Sequence, residues 1–161
     1  MKKRLNIGWF SFTCCEDSTI MFTELLNDHH EEWFNILNFK HMKILQSKNT
    51  MKGMDVAFVE GAITSNEMVK ELKNIRKNCK RLVAIGSCAI QGMPSAQRNF
   101  FDDKTKKQIS FLLKKFHQTK NVKTVKDVVK VDYEVPGCPM EDNKFLEVLG
   151  KCLEEFKVAQ V

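Results

Sequence analysis

Four cysteines and one glutamate occupy positions where the ligands of a metal centre could converge. Cys14 and Cys15 directly follow one apolar segment, Glu60 ends a second, and Cys88 and Cys138 follow a third and a fourth. If these segments are parallel strands, all five side chains lie at the carboxyl edge of one sheet, where open α/β sheets bind ligands. Thiolates bind zinc and iron–sulfur clusters. The pattern therefore predicts a site that collects residues distant in the sequence.

The spacing of the cysteines favours one kind of centre over another. Structural zinc sites usually use paired Cys-x-x-Cys motifs, which this sequence lacks. Ligands scattered along a rigid sheet suit a four-thiolate cubane cluster that transfers electrons. Gly86 and Gly137 come just before ligand positions, where the backbone must approach closely or adopt a positive φ. A structural zinc site is the alternative interpretation.

The other candidate ligands are predicted to have no role in metal binding. Cys79 and Cys152 lie away from the strand ends, and an isolated buried cysteine is more often a small apolar side chain than a ligand. Four histidines show no metal-type spacing and are predicted to be solvated: His29, His30, His41 and His117.

Apolar segments that alternate between strand and helix types must position these residues. The predicted strands are Leu5–Phe12, Met54–Val59, Leu82–Ile85 and Val128–Val135, with an edge strand at His41–Leu45. The predicted helices are Ser18–Asn27 with Asp17 or Ser18 as N-cap and Ile20 on its apolar face, His30–Asn38, Asn66–Lys77, Gln108–Phe116 and Asn143–Phe156. This alternation indicates a parallel sheet covered on both faces. We predict one flavodoxin-like, doubly wound domain over residues 1–161.

Composition narrows the function classes. The chain has 161 residues and a formal net charge of +6. No apolar run approaches the roughly 20 residues that span a bilayer, and the amino terminus lacks a signal-peptide pattern. Six cysteines without an exported context indicate thiols in a reducing compartment, so a cytoplasmic location is predicted. The charge comes from lysine rather than arginine, which does not favour specific nucleic-acid recognition.

Four ordered motifs resemble the small subunit of nickel–iron hydrogenases over nearly the whole chain. They are Thr13–Ser18, Val59–Ile63, Gly86–Ala89 and Val135–Pro139. The same superfamily includes the terminal iron–sulfur subunit of respiratory complex I. The resemblance implies a flavodoxin-like domain that holds the proximal 4Fe–4S cluster beside the active site of a large subunit. It further implies the cluster ligands Cys14, Cys15, Cys88 and Cys138, with Glu60 beside the cluster.

Two features depart from the usual hydrogenase pattern. Phe12 stands where the first cysteine of a Cys-x-x-Cys pair would be, and the adjacent Cys14-Cys15 pair resembles the complex I branch instead. A non-cysteine ligand such as Asp17 is the alternative to Cys14. The sequence ends at Val161, without the further domain of longer small subunits. It therefore resembles the short cytoplasmic type, which relays electrons to a separate ferredoxin-like subunit.

These observations predict the non-catalytic, electron-transfer subunit of a cytoplasmic hydrogenase, an oxidoreductase whose nickel-binding cysteines lie on its large subunit. One alternative is a complex I-like or membrane-hydrogenase iron–sulfur subunit. Another is a flavin-binding flavodoxin-like module. The loop after the first strand disfavours flavin, because it carries cysteines and acids where a flavin phosphate needs a cradle of Ser, Thr or Gly.

A lysine-rich segment between residues 104 and 130 has two interpretations. It contains a single acid, Asp127. The segment is either an ordinary solvated surface or a docking surface for an acidic redox partner of the ferredoxin type. Its lysines are Lys104, Lys106, Lys107, Lys114, Lys115, Lys120, Lys123, Lys126 and Lys130.

Overall fold

The computed structural model describes residues 3–158, in which strands and helices alternate along the chain. The strands are β1 (Leu5–Ser11), β2 (Leu37–His41), β3 (Met54–Glu60), β4 (Ile63–Ser65), β5 (Cys79–Ile85), β6 (Gln118–Lys123) and β7 (Tyr133–Val135). The α-helices are α1 (Asp17–Asp28), α2 (His30–Ile36), α3 (Asn66–Lys77), α4 (Gly86–Gln91), α5 (Asp103–Lys115) and α6 (Asp142–Glu155), and a 3₁₀-helix covers Gln97–Phe100. Among residues 3–158, no helix combines the length and the hydropathy needed to cross a membrane.

The main sheet has five parallel strands in the order β2-β1-β3-β5-β7. Counted within this sheet, the order is that of a flavodoxin-like doubly wound fold, so the predicted fold class is confirmed. β4 and β6 form a separate antiparallel pair. Because the five main strands point the same way, their carboxyl ends share one edge.

Apolar side chains cover both faces of the main sheet. On one face, the Trp9 ring of β1 stacks on Phe22 of α1 at 4.4 Å between centroids, and Phe145 of α6 lies 5.5 Å from Phe22. On the other face, Val59 of β3 and Leu72 of α3 belong to a second buried cluster. β3 is buried along its whole length, as expected for a parallel strand between two layers of helices.

Two predicted strands differ from the observed ones. The edge strand is not His41–Leu45 but β2, because Leu37 already pairs with Leu5 of β1 directly after α2 ends. Only the last three residues of Val128–Val135 form a strand. The earlier valines turn instead, since the amides of Val128 and Val129 both donate to the Val125 carbonyl and their side chains pack on the second core cluster.

Two side chains lie in environments other than those predicted. His41 is only 6% exposed, stacks on Phe10 at 4.2 Å and hydrogen-bonds through Nδ1 to the Trp9 carbonyl. It is buried because it ends β2, beside β1. Ile20, predicted to face the core, is 52% exposed. A position on the predicted apolar face of a helix thus did not determine burial.

Asp55 is a buried carboxylate that ties β3 to its two neighbouring strands. Its Oδ2 accepts hydrogen bonds from the backbone N of Asn6 at 3.0 Å and from Asn6 Nδ2 at 2.9 Å, and its Oδ1 pairs with Lys80 at 2.8 Å. Burial opposes ionisation, but the bonds from Lys80 and Asn6 outweigh it and hold the pKa of Asp55 below its ordinary value.

We expect Asp55→Asn to reduce the free energy of unfolding by about 1.5–3 kcal/mol at neutral pH, because hydrogen bonds to a charged acceptor are lost. Since the folded pKa is lowered, the wild-type carboxylate stabilises the fold above its ordinary pKa of 3.8 and loses this contribution as pH falls through the folded value. Urea unfolding at neutral pH and below about pH 4 should show the difference shrink on acidification.

Asp28→Asn is the matched control, because Asp28 is exposed at the end of α1. Its effect should stay within about 0.5 kcal/mol at both pH values. A destabilisation by Asp55→Asn that is the same in acid and at neutral pH would contradict the assignment.

Candidate metal centre

The carboxyl edge of the main sheet brings the four selected cysteines and Glu60 to one small open pocket. Cys14 and Cys15 lie in the loop after β1, and Glu60 is the last residue of β3. Cys88 lies in α4, directly after β5, and Cys138 follows β7. All five residues selected from the sequence therefore line the same pocket.

A close contact between two loops sets the position of the first cysteine pair. The amide of Thr13 donates to the Ala62 carbonyl at 3.1 Å, and the amide of Ala62 donates to the Thr13 carbonyl at 2.9 Å. Gly61, between Glu60 and Ala62, has φ +88°, and a Cβ there would lie 2.7 Å from the Phe12 carbonyl carbon. Only glycine lets the backbones approach this closely, so Gly61 keeps the cysteine loop against the end of β3.

Cys14 and Glu60 form a hydrogen-bonded pair in this pocket. The Cys14 thiol donates to Glu60 Oε1 at 3.0 Å, and Glu60 is only 2% exposed. Burial raises the pKa of Glu60, while burial and the contact with Glu60 both raise the pKa of Cys14. Thr19 is near enough to lower the Glu60 pKa, yet no hydrogen bond of normal geometry within the described residues reaches Glu60 Oε2. Buried carboxylate oxygens are normally hydrogen-bonded, so Glu60 Oε2 remains able to accept a hydrogen bond at this pocket.

The start of α1 connects the first loop to the Cys138 turn. The residue before the helix is Glu16, at φ 64° and without a side-chain cap, so the predicted N-cap at Asp17 or Ser18 is wrong. Ser18 lies inside the helix, where its Oγ accepts a hydrogen bond from the Met140 amide at 3.2 Å. The serine is thus used to hold a distant turn rather than to cap its own helix.

Ser95 connects Cys88 to the first loop. The Cys88 Sγ lies 3.3 Å from Ser95 Oγ, which donates to the Thr13 carbonyl at 3.2 Å. Ser95 belongs to an irregular segment with no hydrophobic period, so nothing in its sequence context indicates this contact. It is a positioning residue that sequence reasoning missed.

The Cys138 turn is fixed to the end of β5. The Gly137 carbonyl accepts hydrogen bonds from the Ser87 amide at 2.8 Å and from Ser87 Oγ at 3.1 Å. Gly137 has φ +111° and Gly86 has φ +77°. The two glycines that the sequence pointed out therefore adopt the conformation expected of them.

The six cysteines differ in burial and position. Cys88 is 8% exposed and Cys14 is half-buried, whereas Cys15 and Cys138 are exposed at the mouth of the pocket. The remaining two are buried away from the pocket: Cys79 begins β5 at its amino end, and Cys152 lies within α6 in the first core cluster. Burial raises the pKa of Cys152 to about 12, as expected for an inert structural thiol.

A family model described as the 20 kDa subunit of NADH ubiquinone oxidoreductase matches residues 15–152. The chain belongs to this family. The residues that match the model of the 20 kDa subunit include Cys15, Glu60, Cys88 and Cys138, and Cys14 lies one position before them. The family is named for a subunit of an oxidoreductase complex, which confirms the predicted enzyme class.

Curated relatives of this chain are named as hydrogenase subunits. The delta subunit of the NAD-reducing hydrogenase HoxS of Cupriavidus necator is 32% identical over 110 residues, covering 58% of this chain and 53% of the relative. The delta subunit of sulfhydrogenase 2 of Pyrococcus furiosus is 28% identical over 155 residues, covering 90% of this chain and 60% of the relative. The chain thus spans only between half and two thirds of the length of these relatives.

A solved structure supports the fold. A chain in the crystal structure of an NAD+-reducing NiFe hydrogenase in its H2-reduced state superposes with a TM-score of 0.77 at 23% identity. The superposition covers 94% of this chain and 92% of that chain. The fold is therefore shared over almost the full length of both chains.

The donor set of the pocket fits an iron–sulfur cluster. Within residues 3–158, no group of three or more His, Cys, Asp or Glu side chains is arranged to hold one ion. A cubane cluster takes one thiolate at each of its irons, so its ligands surround a volume and need not meet at a point. Four thiols around an open pocket have this distribution.

Proposed function

We propose that this chain is the electron-transfer small subunit of a cytoplasmic nickel–iron hydrogenase, holding one proximal 4Fe–4S cluster. Cys14, Cys15, Cys88 and Cys138 would be the ligands, with Glu60 beside the cluster. The observation that carries the proposal is the arrival of these side chains, from four strand ends, at one pocket. Family membership and the hydrogenase names of the relatives support it.

The chain's own residues would position and shield the centre. When bound, a 4Fe–4S cluster accepts and releases electrons. Cys88 and Glu60 form the buried inner side of the pocket, whereas Cys15 and Cys138 are open to solvent. A partner surface is needed to exclude water from that open side, and we propose the catalytic large subunit for it. Hydrogen chemistry would belong to that subunit, so this chain has no catalytic residue and passes electrons between it and a ferredoxin-like partner.

The proposal includes a single domain over residues 1–161 and a cytoplasmic location. Both core clusters are built on the same five-stranded sheet, which supports one domain. All six cysteines are free, and three of them are buried. Free thiols suit a compartment that keeps them reduced.

The second candidate is a complex I-like or membrane-hydrogenase iron–sulfur subunit. The family model that matches this chain is named for such a complex, and the adjacent Cys14-Cys15 pair favours the same branch. The two candidates predict the same cluster but different neighbours. Native purification of the tagged chain separates them, because the first yields a nickel-containing subunit without membrane components and the second yields membrane-spanning subunits.

Anaerobic reconstitution tests the cluster itself. The full chain should take up roughly four irons and four sulfides, because a four-thiolate site of this kind holds a cubane. A broad visible absorbance that bleaches with dithionite should appear in parallel. Stoichiometric zinc without iron would support the structural-zinc alternative and contradict the proposed cluster. Bound flavin without iron would do the same in favour of a flavin-binding module.

A further inference from the structure

The helix α5 is only partly covered by the rest of the protein. It buries no residue, although it carries the large apolar side chains Phe111, Leu112 and, just after its end, Phe116, which are 68%, 49% and 61% exposed. Phe100, in the preceding 3₁₀-helix, is 78% exposed. Helices in globular proteins gain most of their stability by burying an apolar face. An exposed apolar surface of this kind marks an interaction site.

A groove of about 290 Å³ runs between α5 and β6. Ile109 and Leu113, one helical turn apart and half-buried, form its apolar floor. Four cations line it, and no carboxylate does. Among the described residues, none of these cations forms an ion pair with an acid. The four cations are Arg98, Lys106, Lys114 and Lys120.

Arg98 is built into the groove rather than held loosely at its surface. Its Nη2 donates to the Thr119 carbonyl of β6 at 3.0 Å, and its Nε is buried without a hydrogen-bond partner among the described residues. A half-buried guanidinium without a carboxylate nearby is costly unless an anion approaches it. The groove therefore has the positive charge of Arg98 held at one wall and three lysine charges around it.

The strand that forms one wall of this groove also contacts the cysteine site. Gln118 and Lys120 of β6 line the groove, while Val122 of the same strand is buried in a cluster with Cys88 and Ala96 against which Cys14 packs. The backbone of Val122 exchanges hydrogen bonds of 2.8 and 2.9 Å with the Asn99 side chain. The groove and the candidate cluster site are thus connected through one strand, β6.

We propose that this groove docks an acidic electron-transfer protein, which places an apolar side chain on the Ile109–Leu113 floor and carboxylates against the surrounding cations. This inference rests on the proposed function. The groove would be the surface through which the chain passes electrons to its partner. Charge complementarity steers such a partner and fixes its orientation, while the buried apolar contact holds it. The cations of the groove are mostly lysines, which do not favour specific nucleic-acid recognition, and a concave groove suits a protruding side chain better than a flat membrane.

Isothermal titration of the full-length chain with a purified acidic two-cluster ferredoxin tests the inference. The affinity of the wild type should fall steeply with added salt, because exposed charges are screened. The triple variant Lys106→Glu/Lys114→Glu/Lys120→Glu should bind about tenfold more weakly at low salt and lose most of the salt dependence. Ile109→Ala/Leu113→Ala should weaken binding without changing the salt dependence, because it removes only the apolar contact of the groove floor.

The matched control reverses three exposed lysines on α3, in Lys70→Glu/Lys73→Glu/Lys77→Glu, which changes the net charge by the same amount. This control should bind nearly as well as the wild type. Equal loss in the two triple variants, or no binding by the wild type, would overturn the inference. Tighter binding to anionic phospholipid vesicles or to a single-stranded oligonucleotide than to ferredoxin would also overturn it.

Iron content measured on the same samples keeps the two proposals distinguishable. Suppose that the chain takes up no iron, yet the triple variant of the groove lysines loses ferredoxin binding and the α3 control does not. That result would support the docking groove and contradict the proposed cluster. A chain that holds its cluster but binds ferredoxin equally well in both triple variants would contradict the groove alone. Circular dichroism and the urea midpoint establish that each variant is folded.

Discussion

Cys88→Ala and Cys138→Ala should each abolish iron retention after anaerobic reconstitution, whereas Cys79→Ala and Cys152→Ala should retain it. Each of the first two removes a thiol that lines the pocket, and a cubane without one of its four thiolates is exposed to loss of iron. The measurement is iron and sulfide per chain after gel filtration, together with the visible absorbance that dithionite bleaches.

The two control cysteines, Cys79 and Cys152, test whether the loss of any buried thiol, rather than of a ligand, is enough to release iron. Cys79 and Cys152 are both buried, and Cys152 is as enclosed as any core residue at 0% exposure. Their replacement removes one buried sulfur, which should lower the free energy of unfolding by about 1 kcal/mol. If Cys152→Ala lost iron as completely as Cys138→Ala, the assignment of the ligands would be wrong. Beside Cys15, the first loop would supply either Cys14 or Asp17 as a ligand. Iron retention measured in Cys14→Ala and in Asp17→Ala separates these two alternatives.

The location of the pocket could be predicted from the sequence because it depends only on strand direction. The apolar runs that end near Cys14, Glu60 and Cys88 predict the site even without exact strand boundaries, since the carboxyl ends of parallel strands meet at one edge. Even the last strand, predicted five residues too long at its start, ends at the right place before Cys138. An error at the amino end of a strand does not move the ligand at its carboxyl end.

The contacts that hold the pocket together could not be predicted, because they join distant residues without a local pattern. The bond from the Met140 amide to Ser18 spans 122 positions, and the bond from Ser95 to the Thr13 carbonyl spans 82. From the sequence alone, Ser18 is equally compatible with the N-cap position of a helix. β6 was missed for a related reason: its sequence Gln118–Lys123 is mostly polar, and it becomes a strand only by pairing with β4.

The turn that carries Cys138 should be intolerant of a single methyl group at Gly137. With φ +111°, a Cβ at this position would lie 2.9 Å from the Glu141 amide nitrogen and would also contact the Pro139 carbonyl oxygen. These backbone atoms cannot move freely, since the Glu141 amide donates to the Pro136 carbonyl at 2.9 Å.

Gly137→Ala is therefore expected to lower the free energy of unfolding by roughly 2–5 kcal/mol, combining the strain of a positive φ with overpacking. It should also reduce the iron retained after reconstitution, because relief of the clash displaces Cys138. Anaerobic urea unfolding of the apo chain measures the first effect, and iron per chain measures the second.

Gly150→Ala, thirteen positions later, is the matched control. Gly150 lies inside α6, has no positive φ, and a Cβ there would meet no atom within 4 Å. Alanine should stabilise the helix by about 0.5–1 kcal/mol, since glycine loses more conformational freedom on folding. The two substitutions add the same methyl group and should therefore shift the urea midpoint in opposite directions. A Gly137→Ala chain with the wild-type midpoint and full iron content would show that the Cys138 turn is not held by the contacts described.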